Sequence, residues 1–163
     1  FSTDHGVPRS LMVTSTRPAE GKSTSSLALA VVLGRTGKRV LLIDADMRSP
    51  SMHQFTSQSN KMGLSNFLAG ENDWQQLILD PGLKGLSLMP AGPMPPSAAE
   101  LLSSDRMLLL VEQLLGHFDH VVIDSPPILG LADAPLLSRA VEGCVFVVEA
   151  EGVAVRGVKA ALS

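Results

Sequence analysis

Val40-Leu41-Leu42-Ile43-Asp44-Ala45-Asp46-Met47-Arg48 is the stretch that decides the fold. Its aliphatic residues follow one another without polar alternation. That pattern predicts a strand covered on both faces, as in a parallel sheet with helices above and below. The run ends in carboxylates, and open α/β sheets bind ligands beyond the carboxyl ends of their strands. Upstream, the spacing predicts a helix from about Gly21 to Arg35. Leu27, Leu29, Ala30, Val32 and Leu33 are too dense for a solvated surface, so this helix is expected to be well buried. Gly34 and Gly37 serve as stop signals.

Downstream, Leu64, Phe67 and Leu68 predict a short helix ending at Gly70, and Trp74 to Leu79 a second. Leu86 to Met89 reads as a strand. Ser97-Ala98-Ala99-Glu100 has the capping-box pattern and opens a helix interrupted near Ser103-Ser104. Val121-Val122-Ile123 and Val145 to Val148 read as further buried strands. Asp133 is placed to cap a helix reaching Ala140, and Val153 to Leu162 reads as helical. Strands alternating with helices predict an α/β fold with a mostly parallel central sheet in three layers. The length of 163 residues suits a single domain.

Composition removes several function classes. The formal net charge is −3 and the basic residues form no run, which argues against a nucleic-acid surface. No apolar stretch reaches the ~18 residues of a membrane helix. The single cysteine, Cys144, lies in an apolar run and reads as a small buried hydrophobe. His5, His53, His117 and His120 have no metal-ligand spacing and read as surface residues. Trp74 reads as a packing residue.

Three strand ends carry the chemistry. Arg17-Pro18-Ala19-Glu20-Gly21-Lys22-Ser23-Thr24 lies between a strand and a helix. A loop of backbone N–H groups continued by a helix N-terminus can cradle a phosphate chain. Gly21 permits close approach, Lys22 reaches the β and γ oxygens, and Ser23 offers a hydroxyl to magnesium. The strict P-loop, or Walker A, pattern has glycine where Thr16 stands. A lysine in the first helical turn opposes the helix dipole unless an anion is present, which favours the phosphate reading. At the second strand end, Asp44 and Asp46 are expected to share a side, a costly pairing without a cation. One of them can serve the metal and the other can accept a proton, while Arg48 pairs with a carboxylate or a phosphate. The third is Asp124, which ends an apolar strand in the Walker B manner and is followed by Ser125-Pro126-Pro127. Together these define a P-loop NTPase site for ATP and Mg2+.

The set resembles the cytoplasmic domain of the bacterial tyrosine kinases (BY-kinases) of capsule and exopolysaccharide systems, of the chain-length determinant type. The resemblance rests on Ser15 to Thr24, on the D-x-D-x-R pattern of Asp44, Asp46 and Arg48, and on Asp124-Ser125-Pro126-Pro127. Gly63 to Gly70, Leu88 to Gly92 and the Pro95-Pro96 turn with Glu100-Leu101-Leu102 extend it over nearly the whole chain. It implies autophosphorylation on tyrosine with ATP and magnesium. Lys22 would neutralise phosphates, and Ser23 and Asp124 would serve the metal. Asp44 and Asp46 would divide metal shell and tyrosine activation between them. It also implies partners: ATP and ADP, further subunits contacted through flanking segments, a neighbour's tyrosine tail, and the polysaccharide export machinery. The expected location is cytoplasmic, attached to the inner membrane through an upstream region.

The chain departs from the family pattern in places. It contains no tyrosine, so the acceptor belongs to another segment or molecule. Its start and end suggest a piece of a longer protein, without the E-x-x-R-x-x-R contact helix and the final strand. Glu149-Ala150-Glu151 stand where relatives carry a basic residue. Arg17 aligns with the signature lysine of the Min and Par partitioning ATPases and could act on a partner's nucleotide. Two alternatives therefore stand beside the kinase: a partitioning-type ATPase and a nucleotide-sensing scaffold without kinase activity.

Overall fold

The computed structural model describes residues 7–15, 20–126, 141–150 and 153–160. The strands are β1 (Ser10–Ser15), β2 (Val40–Asp44), β3 (Leu86–Met89), β4 (His120–Asp124), β5 (Gly143–Ala150) and β6 (Val153–Ala160). The helices are α1 (Glu20–Arg35), α2 (Met52–Phe55), α3 (Leu64–Leu68), α4 (Ala98–Leu102) and α5 (Asp105–Leu114), with a 3-10 turn at Trp74–Leu77. They form one sheet in the order β3-β2-β4-β1-β5-β6. β1 to β5 pair in parallel, and β6 returns antiparallel along β5.

The apolar runs are continuous because both faces of the sheet are covered. Val40 and Leu42 pack with Ala30 and Leu33 of α1 on one side. Leu41 and Ile43 pack with Phe67, Leu110 and Leu114 of α3 and α5 on the other. This is the expected three-layer α/β arrangement. β1 sits centrally, between β4 and β5. The carboxyl ends of β1, β2 and β4 are therefore neighbours by topology.

Several local expectations need correction. The helix expected over Val153 to Leu162 is not formed at Val153–Ala160, which is a strand. Val153, Val155 and Val158 are β-branched and Gly157 weakens a helix, while β5 offers an otherwise unpaired edge whose backbone groups β6 satisfies. Ser97 precedes α4 but its side chain makes no cap bond. The helix is interrupted at Ser103-Ser104 as expected. α1 is less enclosed than its composition implies, with Val32 56% exposed. Only the first part of the Trp74 to Leu79 helix forms, as a 3-10 turn, because Leu79 instead pairs with Leu88 in an isolated bridge. His120 is buried, with Nδ1 3.0 Å from the Pro8 carbonyl oxygen. The helix expected between Asp133 and Ala140 falls outside the described residues. Among the described residues, no helix is long and apolar enough to cross a membrane.

Candidate nucleotide and magnesium site

Lys22, Ser23 and Ser26 occupy the first two turns of α1, facing the strand end at Asp124. Lys22 Nζ donates to Asp124 Oδ1 at 2.7 Å and stands 3.7 Å from Asp46 Oδ2. Ser23 Oγ donates to Asp124 Oδ2 at 2.9 Å. Ser26 Oγ lies 2.9 Å from Asp124 Oδ1 and 3.0 Å from the Lys22 carbonyl oxygen. Lys22 is 2% exposed and Asp124 0%. Charges so fully removed from water persist only when paired and hydrogen-bonded, so each group here depends on the others.

The backbone sets this cluster. Asp124 is in register with Val13 of β1 and with Asp44 of β2. Ser125 N and Oγ both donate to the Val13 carbonyl at 2.9 Å, which straps the turn after β4 to the central strand. Ala45 N donates to the Asp124 carbonyl at 2.8 Å, carrying the pairing one residue past β2.

The two carboxylates after β2 do not share a side. β2 ends at Asp44 and the chain turns, so the period of two no longer applies. Asp44 Oδ1 accepts from Asp46 N at 3.1 Å, while Oδ2 accepts from Ser51 N at 3.0 Å and Met52 N at 3.1 Å. Asp44 thus fastens the turn and the start of α2, whereas Asp46 faces Lys22. Burial, helped by the nearby Asp124 charge, pushes Asp44 up to about 7, with the three backbone amides pulling the other way. Burial likewise raises Asp46 above the usual carboxylate range, opposed chiefly by Lys22. Burial also pushes the Cys144 thiol up to about 11, in keeping with an inert packing role.

The structure thus brings together Lys22, Ser23, Asp46 and Asp124, with Asp44 alongside. Glu20 and Gly21 open α1, and Thr24 is exposed on its first turn. Arg17, Pro18 and Ala19 lie outside the described residues. Arg48 is exposed and forms no ion pair among the described residues, so of the two expected pairings, with a carboxylate or with a phosphate, the first is not seen there. Sequence reasoning missed Ser26. The available signal was its spacing, a serine i+4 from Lys22 and so on the same face of the helix.

The residues present fit magnesium. Asp124, Asp46 and Ser23 offer oxygen donors, the ligand type this hard cation requires. An ammonium already lies between the two carboxylates, at 2.7 and 3.7 Å, so the position suits a cation. Among the described residues there is no group of three or more His, Cys, Asp or Glu able to hold a metal. Magnesium at a nucleotide needs fewer, because phosphates and waters complete its shell.

A mostly parallel sheet between two helical layers, with a first-turn lysine and strand-end aspartates at its carboxyl edge, defines the P-loop nucleotide-binding class. The chain belongs to the AAA domain family, which matches residues 11–163. Within it, the chain groups with bacterial tyrosine kinases. It is 42% identical to tyrosine-protein kinase YwqD of Bacillus subtilis over 140 residues, which is 86% of this chain and 59% of YwqD. The kinase domain of Escherichia coli tyrosine kinase ETK superposes with a TM-score of 0.80 at 37% identity, over 85% of this chain and 55% of that one. The VpsO kinase domain also gives 0.80, at 33% identity, over 85% of this chain and 68% of that one. The chain thus spans less than two thirds of YwqD.

Proposed function

We propose that this chain is the core of an autophosphorylating, ATP- and magnesium-dependent protein-tyrosine kinase that regulates capsule or exopolysaccharide polymerisation and export. The observation that carries the reading is the buried Lys22 ammonium between Asp124 and Asp46, with Ser23 on the free carboxylate oxygen. Phosphoryl transfer asks mainly for positioning and charge neutralisation, and this inventory supplies both. Likeness to proteins named tyrosine kinases favours this reading over the partitioning ATPase and the scaffold.

Lys22 would pair with the β and γ phosphate oxygens, and Arg17 to Thr24 would wrap the phosphates. Ser23, Asp46 and Asp124 would hold Mg2+, which neutralises charge on the transferring group. A tyrosine oxygen from a neighbouring subunit's tail attacks the γ-phosphorus. An O–P bond forms, the bond to the β–γ bridging oxygen breaks, and ADP leaves. The phenolic proton passes to a carboxylate. Asp46 faces Lys22 and the metal position, while both Asp44 oxygens accept backbone N–H bonds, so the two carboxylates would divide the metal shell and the proton between them. Flanking segments would supply subunit contacts and attachment to the cytoplasmic side of the inner membrane.

Incubation of the full-length protein with ATP and magnesium, followed by an anti-phosphotyrosine blot, tests the reading. The expected result is a signal from the parent protein and none from Lys22→Met. Phosphate release without phosphotyrosine would contradict it in favour of an ATPase. Nucleotide binding with neither product would favour the scaffold.

A further inference from the structure

Asp124 is fully buried and accepts from Lys22 and Ser26 on Oδ1 and from Ser23 on Oδ2. Two of these donors have other tasks in the function proposed above, on which this inference rests. Lys22 is drawn to phosphate and Ser23 to the metal. Each departure removes a hydrogen bond from a carboxylate that cannot turn to water. Ser26 has no such task. Its hydroxyl is 0% exposed and lies one helical turn beyond Lys22, away from the phosphate loop.

We propose that Ser26 is a positioning residue that holds Asp124 Oδ1 so that Oδ2 stays directed at Ser23 and the metal. The hydroxyl carries one proton and lies within reach of two acceptors, Asp124 Oδ1 at 2.9 Å and the Lys22 carbonyl at 3.0 Å. Hydrogen bonds to charged acceptors are the stronger kind, so the proton belongs with Asp124. While Lys22 is also bonded to Oδ1, Ser26 is one of two donors there. Once the ammonium swings to phosphate, Ser26 is the donor that remains on that oxygen among the described residues. Without it, the carboxylate is free to rotate about its Cβ–Cγ bond, and metal affinity falls while the phosphate contacts of Lys22 persist.

The test is a magnesium titration of fluorescent ADP-analogue binding, using the full-length protein, Ser26→Ala and Ser26→Thr, with thermal melting of each. Ser26→Ala is expected to raise half-saturating magnesium by about tenfold, the scale of one hydrogen bond to a charged group. Its affinity measured in EDTA should stay within about twofold of the parent. Ser26→Thr, which keeps the hydroxyl, should fall within about threefold of the parent in magnesium. A purely structural serine would change the melting temperature and leave the magnesium midpoint alone. An unchanged midpoint in Ser26→Ala, or an equal rise in both variants, overturns the inference and spares the nucleotide reading. No gain in affinity from magnesium in the parent overturns both.

Discussion

The two ends of the sheet use the same residue types in opposite ways. At the carboxyl end, Asp46 and Asp124 are buried around the Lys22 ammonium, with Asp44 buried beside them on backbone amides. At the amino end, Arg9 and Asp119 are bonded mainly to backbone. Arg9 donates to the carbonyls of Leu115, Phe118 and Asp119, closing the C-terminus of α5. Asp119 Oδ2 accepts from Arg39 N at 2.8 Å. A cavity of about 550 Å³ also opens at this end, lined by Arg39, Trp74, His117 and Phe118 among others. Trp74 meets His117 edge-on at 4.9 Å, a packing contact. Charge at the amino end ties the chain together, while charge at the carboxyl end is concentrated at the site proposed for the nucleotide and its metal. Burial, rather than residue type, separates the two roles.

Breaking one charge at each end sharpens this contrast, and the carboxyl end should give the largest effect. Asp124→Ala removes the nearer carboxylate and the hydrogen bond of the buried Lys22, leaving Asp46 at 3.7 Å, and should cost roughly 3–5 kcal/mol in denaturant unfolding. A loss under about 1 kcal/mol would mean that the cluster is hydrated and that burial is not the distinguishing feature.

The next effect is in pH. Asp44 is raised from 3.8 to about 7, so the native state holds this proton at pH values where the unfolded chain has lost it. Its contribution to stability is therefore complete below about pH 4 and declines as pH rises to about 7, by an amount on the order of a few kcal/mol. Unfolding free energies of the parent and of Asp44→Asn, compared across that window, isolate the contribution. The parent should lose stability relative to the variant as pH rises, and parallel profiles would contradict the assignment.

The smallest effect belongs to the amino end. Arg9→Ala removes exposed bonds to the end of α5 and should cost about 1–2 kcal/mol, with nucleotide affinity unchanged. A loss of nucleotide affinity would show that the two ends are coupled.

Much of this contrast was legible beforehand. Val40 to Ile43 predicted a strand buried on both faces, and Leu41 and Leu42 do pack on opposite layers. The site was legible because Lys22, Asp44 and Asp124 each stand next to a strand or helix end that the apolar pattern located. The partition between Asp44 and Asp46 was not, since it depends on where β2 stops and the chain turns toward Ser51. Ser26 was hidden because serine in a helix interior has many local uses, and only the approach of β4 gives it a charged acceptor. β6 was misread because a short segment rich in Val, Ala and Gly has no decisive period, and pairing along β5 settles its state.

ADP binding measured by calorimetry in magnesium buffer, comparing the full-length protein with Lys22→Met, tests the central claim most directly. Methionine keeps most of the length and removes the charge. The account predicts at least a tenfold weaker dissociation constant for the variant at matched folding. Equal affinity would place the nucleotide elsewhere and contradict it.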